Sequence, residues 1–125
     1  METGNKHPRG LTHVWRATLT ALAGLRAAWQ HEDAFRQEVL VAAIAIPVAL
    51  VLPAGSVGKA LMIASILLVL IVELLNSALE AAVDRTSLEL HPLAKRAKDI
   101  ASAAVFLSIV NAVVVWAVVI YPSLF

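Results

Sequence analysis

Glu73, Asn76, Ser77, Glu80 and Asp84 recur at spacings of three, four and seven residues within 72–85, VELLNSALEAAVDR. On an α-helix these spacings place all of them on one stripe. Three acids on one face repel one another, and in hydrocarbon each carries a heavy desolvation cost unless something cationic stands opposite. Basic side chains or a metal ion would meet that need. Mg²⁺ takes oxygen ligands and commonly binds one or two carboxylates together with phosphate oxygens. The deeper acid, Glu73, has the position of a general base acting on a lipid hydroxyl. Phosphoryl transfer asks little of a protein beyond positioning and charge neutralisation. Plainer roles exist for several of these groups. An acid near the end of a span can simply snorkel or pair. Asp84-Arg85 reads equally as a solvated helix end, and Asp99 as the partner of Lys95 one turn earlier.

The elements that must carry this row are set by composition and period. Of 125 residues, 60% are hydrophobic, and the mean hydropathy is +0.81. A water-soluble domain of this size needs far more polar surface, so the expected class is an all-α membrane protein of one domain, 1–125. The net charge of +1 comes without a basic tract, which excludes nucleic acid as a partner. The absence of cysteine excludes disulfides, thiol catalysis and thiolate metal sites. No histidine has metal-ligand spacing, and His7, His13 and His31 read as interfacial polar residues. The first apolar run follows about 30 mixed residues, unlike the layout of a cleaved secretory signal.

Residues 1–10 hold Gly, Pro and Asn without an apolar period and read as a flexible arm. Over 11–31, Leu11, Val14, Trp15, Leu19, Leu22, Leu25 and Trp29 recur at helical spacing. Charge interrupts this helix too often for it to span, and tryptophans at both ends suit the headgroup layer, so it is expected flat on the membrane surface. Arg26 falls near its apolar face and would snorkel to lipid phosphate. Three spanning helices are expected over 33–53, 57–85 and 92–120. Pro47 interrupts the first, 53–56 forms a turn, His91-Pro92 starts the third helix, and Tyr121-Pro122 ends it. Small residues 101–104 would allow close helix packing, Asn111 would make an interhelical hydrogen bond, and Trp116 and Tyr121 would anchor at the interface.

Of the ten Lys and Arg, five precede residue 39 and four lie between 85 and 98. The positive-inside rule then puts the N-terminus and the 85–98 region in the cytoplasm, and three spans leave the C-terminus outside. At about 1.5 Å per residue, Glu32, Glu80, Lys98 and Asp99 come to one level near the cytoplasmic edge of the core, with Glu73 and Asn76 somewhat deeper. This layout suits a reaction between a water-borne reagent and a headgroup held in the leaflet. No GxxxxGK[ST], GxGxxG or HRD-type motif is present, so a kinase here would have no soluble kinase architecture.

The 72–85 stretch closely resembles the signature of the prokaryotic diacylglycerol kinase family, as does 94–105, AKRAKDIASAAV. The segments 24–29, GLRAAW, and 32–38, EDAFRQE, are similar as well, and the likeness extends over about residues 15–120. The resemblance implies a homotrimer of three-span subunits, each with an interfacial N-terminal helix, in the bacterial inner membrane. It implies transfer of phosphate from MgATP to diacylglycerol, giving phosphatidic acid and ADP. It makes Glu73 the catalytic base with Asn76 assisting, and Glu32 and Glu80 the metal ligands. Lys98 and Asp99 would contact the nucleotide, with Glu89 and His91 near adenine and ribose. Arg26, Glu38 and Ser102 would line the lipid site. Two departures stand out: His13 occupies the place of an early arginine, with Arg16 a turn away, and Leu90 stands where an aromatic residue can occur. The HPLAK segment, 91–95, is shared with the related undecaprenol kinases, whereas AFRQE and KDIASAAV favour the diacylglycerol branch. A non-enzymatic assembly or ion-coupling protein is the remaining alternative, and it predicts no ATP turnover with any lipid.

Overall fold

A computed structural model describes residues 10–86 and 91–124. It contains four helices, α1 (Leu11–His31), α2 (Asp33–Val51), α3 (Ser56–Thr86) and α4 (Pro92–Leu124). Two units result, one ending at Glu32 and the other beginning at Asp33.

In the first unit, α1 starts from Gly10, whose φ of 61° is a left-handed conformation that glycine adopts without a Cβ penalty. The stripe Leu11, Trp15, Leu19, Leu22, Leu25 and Trp29 is exposed along it. The helix ends at Glu32, whose N–H donates to the Ala28 carbonyl at 2.9 Å.

In the second unit, α2, α3 and α4 are each long and apolar enough to cross a membrane. α3 is the central helix and packs against both others. Its inward face is Met62, Ser65, Val69 and Glu73, all buried. α2 answers with Phe35, Ala42 and Ala49, one per two turns, and α4 with Ser108 and Ala112. Small side chains let the backbones approach where hydrocarbon gives no hydrophobic drive to associate. At Gly58 α3 and α4 come close, since a Cβ there would meet Val119 Cγ1 at 2.8 Å. Ser65 Oγ donates to the Met62 carbonyl at 2.7 Å, and Ser108 Oγ to the Val105 carbonyl at 2.7 Å. These local bonds settle the hydroxyls inside the bundle.

Several details depart from the sequence reading. α2 continues through Pro47, at the loss of only one backbone bond. It ends at Val51, where Lys59 Nζ donates to the Leu50 carbonyl at 2.8 Å and caps its last turn. α4 does not stop at Tyr121-Pro122 but runs to Leu124, because a proline in the final turn forfeits one hydrogen bond and no more. Trp116 is not free to act as an interfacial anchor. Its indole N–H donates to the Met62 carbonyl and to Ser65 Oγ, both at 3.2 Å, tying α4 to α3. Of residues 101–104, only Ala101 turns partly inward, while Ser102, Ala103 and Ala104 are exposed.

The outward face of α3 has its own pattern. Val57, Leu61, Ala64, Leu68, Ile71, Leu75 and Ala78 alternate steps of four and three, and all are exposed. A repeat of 3.5 residues is the seam of a left-handed coiled coil.

Candidate active site

The acidic row lies on the inward face of α3, continuous with Met62, Ser65 and Val69. Glu73 is only 5% exposed. The carboxyl group of Glu38, one turn into α2, lies against that of Glu73. Two carboxyls from different helices therefore face each other in the interior of an apolar bundle. Three buried oxygens around them accept and donate nothing: Glu38 Oε1, Asn76 Oδ1 and Ser77 Oγ. An unmet polar atom in such a place is costly, and a ligand with hydroxyl or phosphate groups would relieve it.

One turn further along α3, Glu80 is half-buried. Across from it, Lys98 of α4 sits with its Nζ 2.5 Å from Asp84 Oδ1 and within charge range of Glu80. α3 and α4 thus bring Glu80, Asp84 and Lys98 together, one cation among carboxylates where the stripe required one. The pairing of Asp84 was not singled out in the sequence, although its place four residues after Glu80 carried the signal. Asp84 is exposed near the end of α3 and pairs with Lys98 across helices. Ser77, on the same stripe, is one of the orphaned oxygens.

Asp99 points elsewhere. Its Oδ2 is 2.7 Å from Lys95 Nζ, an exposed pair one turn apart on α4. His91 caps α4: its carbonyl accepts from the Lys95 N–H at 3.0 Å, and its Nδ1 accepts from the Leu93 N–H at 3.1 Å. Pro92 follows as the first helical residue. Arg36 pairs with Asp33 in the first turn of α2. Ser102 is exposed. Arg26 and Glu32 belong to the first unit, Arg26 exposed on α1 and Glu32 at its C-terminal cap. Glu89 lies outside the described residues.

A cleft of about 510 Å³ opens between α2, α3 and α4. Glu38 stands at one end, and the lining beyond it is apolar, with Val41, Ala45, Leu70, Ile109, Val113 and Trp116. A polar head and an apolar trough together are the complement of a lipid with a hydroxyl headgroup.

Residues 19–120 match the prokaryotic diacylglycerol kinase family. The chain belongs to that family. It is 52% identical over 115 residues to a diacylglycerol kinase of Pseudomonas aeruginosa, covering 92% of this chain and 94% of that one. It is 45% identical over 112 residues to a diacylglycerol kinase of Escherichia coli, covering 90% and 92%. A diacylglycerol kinase of Haemophilus influenzae is 44% identical over 112 residues, with 90% and 95% covered.

Among the described residues no three His, Cys, Asp or Glu gather as a metal cage. Mg²⁺ does not call for one, since it keeps several ligands from water and phosphate. Of the two expected ligands, the half-buried Glu80 on α3 presents a carboxylate, a hard oxygen donor of the kind that ion prefers.

Proposed function

We propose that this protein phosphorylates diacylglycerol at the expense of ATP, yielding phosphatidic acid and ADP at the cytoplasmic face of the bacterial inner membrane. The observation that carries the reading is the buried Glu73, set beside unmet polar oxygens and against Glu38, the carboxyl that lines an apolar cleft. The lipid lies with its acyl portion in the cleft and its hydroxyl at Glu73. The hydroxyl oxygen attacks the γ-phosphorus, Glu73 takes the proton, and the bond to the ADP oxygen breaks. Asn76 and Glu38 orient the headgroup, and Arg26 and Ser102 contribute further contacts to it. Lys98, with Asp99, Glu89 and His91, receives the nucleotide. Glu80 and Glu32 hold the Mg²⁺ that accompanies it, and that ion supplies charge neutralisation for the phosphates. Lys98 exchanges its Asp84 partner for phosphate oxygens when nucleotide arrives.

The active assembly is a homotrimer. Support comes from the family resemblance and from the exposed 3.5-residue seam along α3, whose apolar row is left uncovered by the described residues. The N-terminus is cytoplasmic and the C-terminus periplasmic, following the Lys and Arg count. The exposed apolar stripe of α1 suits a helix lying in the interface.

The test is a panel of lipid alcohols presented in mixed micelles with MgATP. Diacylglycerol should be converted, undecaprenol far less, and Glu73→Gln should lower turnover by about 10²–10⁴-fold while the protein keeps its helix content. Preference for undecaprenol would move the protein to the other branch. Absence of turnover with every lipid, alongside ion flux in liposomes, would replace the enzyme with the coupling alternative.

A further inference from the structure

Asn111 is exposed on α4, and its amide bonds to none of the described residues. Its neighbours on that face, Leu107, Val114 and Val118, are apolar and exposed. The interhelical hydrogen bond expected of it is therefore not made within the chain. A second unmet group lies on α2. Pro47 has no N–H, so the Ala43 carbonyl lacks the donor that a helix normally supplies. Ala43 and Pro47 face outward together with Leu40 and Ile44.

The two groups stand at one height. Gly58 packs on Val119, while the adjacent Lys59 reaches the Leu50 carbonyl, so Val119 of α4 and Leu50 of α2 are level to within the reach of a lysine side chain. Asn111 lies eight residues before Val119, about 12 Å away along the axis, and Ala43 seven residues before Leu50, about 10 Å. α2 and α4 both run antiparallel to α3, so both offsets point the same way. Both groups fall near the middle of a roughly 30 Å core. There an unmet amide and an unmet carbonyl are each costly, with no water to satisfy them.

We propose that the Asn111 side chain of one copy donates to the Ala43 carbonyl of a neighbouring copy, making these faces of α4 and α2 an interface between chains. The occupant is a second copy because both halves of the bond belong to this sequence and neither reaches the other within one chain. The proposal rests on several copies spanning a membrane and does not depend on the lipid kinase reading.

The native chain has no cysteine, which makes the contact testable by cross-linking. Chains bearing Ala43→Cys and chains bearing Asn111→Cys, differently tagged, are co-expressed and oxidised in native membranes. A mixed disulfide dimer is expected. Leu50→Cys, on the same face of α2 and two turns away, should give far less with Asn111→Cys. Equal yields, no mixed dimer, or a chain that stays monomeric in the membrane would overturn the contact. A second measurement identifies the acceptor. Asn111→Val should weaken association by about three- to twentyfold per contact. In a Pro47→Ala background, where the Ala43 carbonyl regains its helical donor, the same change should have little effect. An equal loss in both backgrounds would remove Ala43 as the acceptor. All these readouts are independent of kinase activity.

Discussion

At the scale of single residues, the site separates groups that resemble one another in sequence. Asp84 and Asp99 each pair with a lysine of α4, but only Asp84 does so across helices, at 2.5 Å from Lys98. The pair is exposed, so Asp84→Asn should leave stability nearly unchanged in a denaturation series. Lys98→Ala should instead lower kcat by two orders of magnitude or more, because phosphate charge is then left unanswered. The exposed Lys95–Asp99 pair invites a split test. If Asp99 contacts nucleotide, Asp99→Ala raises the KM for ATP while Lys95→Ala leaves it in place. Equal, small effects of the two changes would reduce Asp99 to a helix-surface partner.

At the scale of elements, α3 and α4 are held by two features far from the acidic row. Trp116 donates to Met62 and Ser65, so Trp116→Phe keeps an aromatic ring but loses the N–H and part of the indole's volume, and should cost about 1–3 kcal/mol. The loss would appear as earlier unfolding in an SDS titration. Gly58 admits no larger residue without moving Val119, whose β-branched side chain has little rotamer freedom in a helix. Gly58→Leu should therefore spread the outer ends of α3 and α4 and lower the thermal midpoint by several degrees. A variant as stable as the parent would mean that the helices are not so closely packed there.

At the scale of the whole molecule, α3 has two faces with different tasks. One carries the buried Glu73 and the cleft, and the other carries the exposed seam from Val57 to Ala78. Helix association in lipid depends on close packing at such a seam rather than on hydrophobic burial. Ala64→Trp overfills it without touching the acidic face. Light scattering in detergent should then report chains smaller than the parent assembly, and turnover should fall with the loss of assembly if the active form is a trimer.

Much of this protein was fixed by local sequence. Hydropathy and the Pro and Gly punctuation set four helices to within a few residues, because helix formation in hydrocarbon is decided by each segment's own backbone bonds. The spacing of Glu73, Asn76 and Glu80 likewise defined one face without reference to any other helix. What faces that row was a matter of packing between segments distant in sequence. Glu38 against Glu73, Lys98 on Asp84 and the indole of Trp116 on Met62 depend on the rotation of each helix about its axis. That rotation is set by small residues such as Ala42, Ala49, Ser65 and Ala112, which leave no periodic signature of their own in uniformly apolar spans.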